Sequence, residues 1–384
     1  MISIPLRTVL VCVAGLCVAC GALQVPIATN HLAARAQVTP RTTYTLPVGY
    51  TMPSSFAGSP SGQGVWFLSS TYTTSTIFFV SPDNSEDRSW SLGAHYPLGA
   101  DSGIAVAPDG TVWAGVGMVL IHLVPTTGSV VTYQVPNPVE SSAAASYEPA
   151  FVKGSHDIVA VAVSTSDVVA LALSASSQVV MFSGSAFSAW DLPPNTTPRD
   201  VAYLSDGILG VALNDFVTHN ADKLATFTTA GLRTDSASLS AWDLASNGTN
   251  FLTIASSIAT IDAEAQVTSS VPVAADPGSG GRAPTPVIQG PVSVLPDGSV
   301  LVPSSDGVMA VNASSGQAAD ISLPFTSCSS SNVAFPHGFT PSASPAAQTC
   351  PDTPLMVDTD GAGDIWAQLQ SSPDSIELID GAGL

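Results

Sequence analysis

Residues 103–136 read GIAVAPDGTVWAGVGMVLIHLVPTTGSVVTYQVP, and this stretch decides the fold of the chain. Short apolar runs alternate with turn residues, first at Asp109-Gly110 and later at Thr127-Gly128. Runs rich in Val and Ile that are separated by Asp-Gly or Gly-containing turns predict antiparallel β-strands. The stretch therefore predicts four strands, joined by tight turns, with no helix between them.

The same phrase recurs along the chain. Residues 292–324 repeat it as VSVLPDGSVLVPSSDGVMAVNASSGQAADISLP, and residues 355–380 repeat most of it as LMVDTDGAGDIWAQLQSSPDSIELID. Repeated four-strand units are typical of β-propeller blades. We predict an all-β, seven-bladed β-propeller, although the weak fourth and fifth units leave six or eight blades open. The predicted units are residues 54–93, 98–136, 156–193, 198–240, 241–273, 287–325 and 353–380.

The two ends of the repeat complement each other. The last unit stops at a third strand, residues 375–380, and lacks a fourth. Residues 42–48 (TTYTLPV) stand alone before the first unit and are similar to the fourth strands TYQVP and SAWDLP. An open sheet edge invites aggregation. We therefore predict that Thr42–Val48 completes the last blade and closes the ring.

The composition is apolar and acidic. The 384 residues are 45% hydrophobic and only 10% charged, with 29 Asp and Glu against 9 Lys and Arg. The formal net charge is -20. A surface of this sign repels phosphate backbones, so the composition argues against nucleic-acid binding.

The N-terminus has the layout of an export signal. Arg7 precedes an apolar run over Thr8–Ala28, and Ala34-Arg35-Ala36 offers an A-x-A cleavage site. Two alternatives remain, since the run is long enough for a retained membrane anchor and Cys20 could be lipidated. All three place the domain outside the cytoplasm, with membrane contact only through this segment. We therefore divide the chain into residues 1–36, signal or anchor, and residues 37–384, the propeller domain.

Cysteine usage agrees with export. Cys12, Cys17 and Cys20 lie in the N-terminal segment, which leaves Cys328 and Cys350 as an even pair in the propeller domain. In an oxidising compartment such a pair predicts a disulfide.

The lengths of the loops predict where a binding site lies. Turns between the first and second strands of a blade are minimal, whereas the links at 137–156, 274–289 and 326–354 are long. Long loops on a rigid scaffold are the usual place for binding residues, although they are also compatible with solvated spacers. The candidate ligand-contacting residues in or beside the links are His95, Asp101, Glu148, Arg199 and His337.

Three further patterns have a structural and a functional interpretation. Asp358, Asp360 and Asp364 resemble part of a calcium loop, but they lie where the first turn of a blade belongs. His156 and Asp157 could pair as acid and base, but adjacent strand residues point to opposite faces. Arg199-Asp200 falls just before an inner strand, near the channel mouth, as an ion pair or as part of a ligand site. No histidines have metal-ligand spacing, so we predict no metal ligand and no catalytic residue.

The phrase Asp-Gly-x-Val/Ile-Trp resembles the blades of the virginiamycin B lyase (streptogramin lyase) family, and more loosely the NHL propellers. Residues 103–115 and 358–369 carry the resemblance best. It implies a seven-bladed propeller, and for the family it implies elimination that opens a cyclic depsipeptide, with a divalent metal and Glu and His groups near the axis. Blades of that family often read Trp-Phe-Thr-Glu, whereas this chain has Ser69, Val116 and Leu369 at the Glu position.

Because that Glu is missing, we favour a non-catalytic binding module over an enzyme. We expect a monomer that needs no cofactor and binds a peptide, a glycan or a protein. The alternative is a diverged metal-dependent lyase or hydrolase, for which a divalent metal would be required.

Overall fold

The computed structural model describes seven stretches of the chain: 43–93, 103–138, 157–215, 223–235, 243–273, 292–327 and 349–379. Positions 51, 52, 54, 61, 63, 84, 85, 255, 256, 305, 306, 323, 324, 352, 353, 370 and 371 lie outside the described residues. All of the described residues belong to one compact unit, Arg35–Leu384. They form strands and turns, and none of the described segments is a helix that could cross a bilayer.

The strands form seven four-stranded antiparallel sheets, the blades of a propeller. The first strand is β1 (Thr43–Thr45). Blade 1 contains β2 (Phe56–Gly58), β3 (Val65–Ser70), β4 (Ser75–Val80) and β5 (Arg88–Ser91). Blade 2 contains β6 (Gly103–Val106), β7 (Val112–Val116), β8 (Val119–Val124) and β9 (Ser129–Gln134). Blade 3 contains β10 (Ile158–Val163), β11 (Val169–Leu173), β12 (Gln178–Ser183) and β13 (Ala186–Asp191).

The remaining blades follow in chain order. Blade 4 contains β14 (Thr196–Tyr203), β15 (Leu209–Asp215), β16 (Lys223–Phe227) and β17 (Arg233–Asp235). Blade 5 contains β18 (Ala245–Ser246), β19 (Phe251–Ile254), β20 (Ser257–Ile261) and β21 (Val267–Pro272). Blade 6 contains β22 (Ser293–Val294), β23 (Ser299–Ser304), β24 (Gly307–Asn312) and β25 (Ala318–Ser322). A hairpin of β26 (Phe325–Ser327) and β27 (Thr349–Pro351) follows, and then β28 (Pro354–Thr359), β29 (Ile365–Leu369) and β30 (Ser372–Ile379) of blade 7.

Burial along the strands explains their sequences. The second strands β3, β7 and β11 are buried at every position, because both faces of each blade pack on a neighbouring blade. They accordingly read as continuous apolar runs. The outer strands β9 and β13 alternate between exposed and half-buried positions, which fits strands at the rim of the disk.

The hydrophobic core is divided among the boundaries between blades. Seven clusters of buried apolar side chains occur in the described residues, one between each pair of consecutive blades. The cluster between blades 7 and 1 contains Trp366 and Phe67, and the predicted repeat residues Trp66 and Trp113 are buried in two further clusters. These contacts confirm both the seven-bladed ring and the assignment of the three tryptophans to the core.

The ring closes with the N-terminal strand, as predicted. β1 pairs with β30 in the register Thr43 with Glu377, Tyr44 with Ile376 and Thr45 with Ser375. Blade 7 therefore takes its first three strands from the C-terminal end of the chain and its fourth from residues near the N-terminus.

The hairpin β26–β27 lies within the predicted long link between blades 6 and 7. Thr326 pairs with Cys350, which places Cys350 in the strand opposite the residues that lead to Cys328. Cys328 itself lies outside the described residues, so the disulfide with Cys350 stays a prediction.

Candidate functional site

The antiparallel blades give the disk two distinct faces. The turns that follow the first and third strands of each blade lie on one face, which we call the turn face. The turns after the second strands and the links from one blade to the next lie on the opposite face, the link face. The fourth strand of each blade ends on the link face, and the first strand of the next blade begins there, so the links start and finish at this face.

Two exposed side chains of the described residues stand out on the link face. Tyr72 lies in the turn between β3 and β4 and is 93% exposed, and Val48 lies in the link between β1 and β2 and is 105% exposed. Tyrosine is enriched in protein interfaces, because its ring is rigid and its hydroxyl is polar. The link face thus has exposed apolar groups as well as the long links.

The inner strands carry small residues close to the axis. In each blade, one position lies two residues before the residue that opens the first turn. This position has a small side chain in six blades and an aspartate in the seventh. These residues are Ala57, Ala105, Ala162, Ala202, Ala245, Ser293 and Asp358. Packing there is close, since a Cβ atom on Gly58 would lie 1.8 Å from the Thr359 carbonyl oxygen. A side chain at position 58 would therefore collide with the backbone of blade 7.

Two carboxylates occupy equivalent positions two residues nearer to the link face. Asp200 of blade 4 and Asp243 of blade 5 each lie four residues before the residue that opens the first turn of their blade, Leu204 and Asn247 respectively. Both side chains are half-buried. Arg199 lies beside Asp200 at a bulge in β14, where the pairing register with β15 shifts between Pro198 and Asp200.

Asp200 joins the two blades through its carboxylate. One oxygen, Oδ1, accepts a hydrogen bond from the Val201 N–H at 2.8 Å. The other, Oδ2, accepts from the Leu244 N–H of blade 5, also at 2.8 Å. Because Leu244 directly follows Asp243, this bond brings the second carboxylate to the same boundary.

Burial perturbs both carboxyl groups. It raises the pKa of Asp200 to about 7, with a further increase from the charge of Asp243, while the Leu244 and Val201 N–H groups and the Arg199 guanidinium lower it. Burial also raises the pKa of Asp243 to about 6, against the opposing effect of Arg199. Carboxyl groups that titrate near neutral pH are typical of functional sites, although structural networks also contain them. Asp200, Asp243 and Arg199 are therefore the candidate site at the link-face end of the inner strands.

The structure corrects the predicted position of Arg199. The inner strand begins at Thr196 rather than after Asp200, so Arg199 and Asp200 lie within β14 and not before it. The charge of Arg199 acts on two carboxyl groups, Asp200 and Asp243, and its role as an ion pair or as a ligand contact stays a prediction. The sequence analysis missed Asp243, although its spacing from the following turn matches that of Asp200.

The other predicted site residues lie outside the described part of the chain. They are His95, Asp101, Glu148 and His337. Their positions relative to Arg199 and their roles stay predictions. His156 also lies outside the described residues, so its pairing with Asp157 is untested.

The aspartates that resemble a calcium loop form a turn between β28 and β29. Asp360 is buried, and its Oδ1 accepts hydrogen bonds from the N–H groups of Ala362 and Asp364. Its Oδ2 accepts from the N–H of Gly64 at 2.7 Å and from the Trp366 indole at 3.1 Å. The carboxylate is thus committed to organising the turn and joining it to blade 1. No group of three or more His, Cys, Asp or Glu side chains suited to a metal occurs within the described ranges.

The positions where the lyase-like phrase would place Glu are part of the core. Ser69, Val116 and Leu369 lie in second strands and are at most 1% exposed. At these three positions the chain therefore presents no carboxylate.

Sequence comparisons find no relative of this chain, whereas structural comparison finds many. No protein-family model matches, and no curated protein matches in sequence. A catalytically inactive variant of virginiamycin B lyase from Staphylococcus aureus, with quinupristin, has a TM-score of 0.58 and 12% identity over 89% of this chain and 99% of that one.

Propellers of other kinds are about as similar. A chain of the mitotic checkpoint complex has a TM-score of 0.55 and 10% identity, over 91% of this chain and 96% of that chain. The Dos1 propeller has a TM-score of 0.55 and 10% identity, over 90% and 95%. At these identities the similarity shows the fold alone. It confirms the resemblance to virginiamycin B lyase as one of architecture.

Proposed function

We propose that this protein is an exported, non-catalytic binding module that engages a peptide, glycan or protein partner through its link face. One observation carries the proposal. The links between blades end on the same face that presents Tyr72, with Asp200, Asp243 and Arg199 at the adjoining end of the inner strands. A rigid ring with its longer loops on one face is the arrangement by which many scaffolds present binding residues.

The charge of the chain favours one class of partner. With a net charge of -20, the protein attracts basic surfaces and repels acidic ones. We therefore favour a peptide or protein with exposed Lys or Arg side chains over an anionic glycan.

Export through residues 1–36 is part of the proposal. It is supported by the apolar run over Thr8–Ala28 and by the pair of cysteines in the propeller domain. The first strand after this segment, β1, is a fourth strand and so begins at the turn face. That face is opposite to the surface that we propose for the partner.

The second candidate is a diverged metal-dependent lyase or hydrolase, which the structural similarity to virginiamycin B lyase favours. Elimination requires a base and stabilisation of the developing negative charge. Ser69, Val116 and Leu369 supply neither of these where the resemblance would place Glu. We expect that incubation of the exported protein with Mg²⁺ or Mn²⁺ leaves the cyclic depsipeptide of a streptogramin B intact, as measured by mass spectrometry. Opening of the depsipeptide ring that a chelator abolishes would reject the binding proposal and support the lyase.

Photocrosslinking tests which face the partner occupies. A benzophenone amino acid would replace Tyr72 on the link face, or Asp109, which is exposed in a turn on the opposite face. On irradiation of the producing cells, we expect a discrete adduct from position 72. An excess of purified protein without the label should suppress this adduct. The variant at position 109 is the matched control. Equal adducts from both positions, or an adduct from 109 alone, would reject the link face as the partner surface.

A further inference from the structure

We infer that Val48 and Tyr72 form a protruding contact on the link face of blade 1, and that this contact inserts into a concave, largely apolar pocket of a folded protein. The inference rests on the proposed function, because the contact lies on the same face, and it narrows the class of partner to a protein with a pocket. We call the two turns that carry these side chains, residues 47–50 and 71–74, the knob.

Both turns of the knob are held by hydrogen bonds. In the turn between β3 and β4, the Thr71 N–H donates to the Thr74 carbonyl oxygen at 2.8 Å, and the Thr71 hydroxyl accepts from the Thr73 and Thr74 N–H groups. In the link between β1 and β2, the Tyr50 N–H donates to the Pro47 carbonyl oxygen at 3.3 Å. The backbone at both tips is therefore restrained, which lowers the conformational entropy lost on binding.

One side chain joins the two turns to the same part of blade 1. The Tyr50 hydroxyl lies 3.0 Å from the Thr76 hydroxyl in β4, which begins where the second turn ends. The Tyr50 ring also packs edge-on against Phe78, with 5.0 Å between the ring centroids. Val48 precedes Tyr50 by two residues, and Tyr72 precedes Thr76 by four, so both tips are carried by one packed support.

The exposure of the two tips determines the shape of the partner. Val48 is 105% exposed and Tyr72 is 93% exposed, so almost no atom of the described residues covers either side chain. Sites for small ligands are concave and enclose most of the ligand surface, which side chains as exposed as these cannot do. The tips lose their contact with water only when a partner encloses them. A folded protein holds a pocket of that kind ready, whereas an extended peptide or glycan needs a groove on its receptor.

The knob also lies in an uncharged part of an acidic protein. Between Arg41 and Asp83 the chain has no Asp, Glu, Lys, Arg or His, although its net charge is -20. Strands of blades 3 and 4 do carry charges at their link-face ends, at Asp191 and Lys223. Charged residues are depleted at the core of protein interfaces, whereas tyrosine is enriched there as a rigid anchor. The knob therefore fits the centre of an interface with a protein.

Saturation binding of the labelled exported protein tests the knob, with an envelope fraction of producing cells that lack the gene as the probe. Tyr72→Ala should lose about tenfold or more in affinity, because aromatic anchors dominate the energetics of interfaces. Val48→Ser, the second variant, should lose less. Leu232→Ala is the matched control, since Leu232 is an exposed apolar residue in a turn on the opposite face, and it should bind as the wild type does. Thermal melts establish that each variant is folded.

Treatment of the envelope fraction identifies the class of partner. Proteinase K should abolish binding, periodate oxidation of glycan diols should leave it intact, and a tryptic digest of the fraction should not compete. Binding that periodate abolishes and proteinase K spares would assign a glycan, and competition by the digest as strong as by the intact fraction would assign a peptide. Either result would overturn the inference.

The variants separate this inference from the proposed function on which it rests. Saturable binding with wild-type affinity in Tyr72→Ala would reject the knob and leave a binding module that uses another part of its surface. The absence of saturable binding by the wild type would reject both.

Discussion

Asp358 and Asp200 make the same pair of backbone hydrogen bonds at two different boundaries of the ring. Asp358 accepts from the N–H of the next residue, Thr359, and from the Gly58 N–H of the following blade, both at 2.8 Å. Asp200 does the same with Val201 and Leu244. The two sites differ in their third neighbour, because Asp358 also accepts the hydroxyl of Ser293 from blade 6, whereas Asp200 faces Asp243.

The same pair of hydrogen bonds therefore occurs in two different electrostatic environments. Burial raises the pKa of Asp358, and the charge of Asp360 adds to the increase, whereas the Ser293 hydroxyl and the Gly58 and Thr359 N–H groups oppose it. At Asp200 the nearby carboxylate adds to the effect of burial. The boundary at Asp358 is therefore clamped by three donors to one carboxylate, whereas at Asp200 two N–H groups donate and a second carboxyl group lies at the same boundary. Four predictions test this contrast.

The largest effect should come from removing the strand that closes the clamped blade. A chain that begins at Ser54 lacks β1 and exposes the edge of β30, which should cause aggregation or lower the melting temperature by more than about 10 °C. A chain that begins at Arg41 retains β1 and is the matched control. If both chains melt alike, β1 does not close the ring.

Asp358→Ala should follow in size. It leaves the Gly58 and Thr359 N–H groups and the Ser293 hydroxyl without their common acceptor, which should cost about 3 kcal/mol in the free energy of unfolding. Urea unfolding measures the change. Asp109→Ala, which removes an exposed aspartate that accepts from Thr111, should cost about 1 kcal/mol or less. Equal losses would contradict a special role for Asp358.

Reduction of the predicted disulfide between Cys328 and Cys350 should lower the free energy of unfolding by a comparable or smaller amount. Cys350 lies in the hairpin that precedes blade 7, and a loop closed to Cys328 would contribute roughly 3 kcal/mol in the chain-entropy model. Labelling of the denatured, unreduced protein should find neither of these thiols free. Stoichiometric labelling of both would reject the pairing.

The smallest effect concerns the boundary at Asp200. Folding raises the pKa of Asp200 and Asp243 above the ordinary value of 3.8, so between about pH 4 and about pH 7 the folded protein binds more protons than the unfolded chain. The stability from these protons is present below that window and lost as the pH rises through it. Asp243→Asn should therefore raise the melting temperature at about pH 7.5 by about 2 to 4 °C and leave it nearly unchanged at about pH 4.

The control for this shift is Asp235→Asn, which removes the same charge from an exposed position where Asp235 pairs with Arg233 at 2.9 Å. An equal increase in both variants would attribute the effect to net charge rather than to the boundary. Thermal melts at both pH values distinguish the two explanations.

Most of the architecture could be predicted because it depends on local sequence patterns. The Asp-Gly turns and apolar runs of residues 103–136 recur with the same order of strands, and most strands pair with the strand next to them in the chain. The unpaired segment Thr42–Val48 and the missing fourth strand of the last unit predicted the closure that β1 and β30 make. The start of β14 was placed too late, because Thr196, Pro198 and the bulge at Arg199 obscure its alternation.

The sequence by itself determined the all-β class, the closing strand and the burial of Trp66, Trp113 and Trp366, because these depend on local turns and on the spacing of apolar residues. It favoured seven blades but left six or eight open, and the seven sheets of the structure decided the number. Only the tertiary structure decided which aspartates lie together. Asp200 and Asp243 are far apart in the chain and meet because consecutive blades set their inner strands side by side at the axis. There, burial and a neighbouring charge give an ordinary side chain an unusual affinity for protons, and no local pattern carries that information.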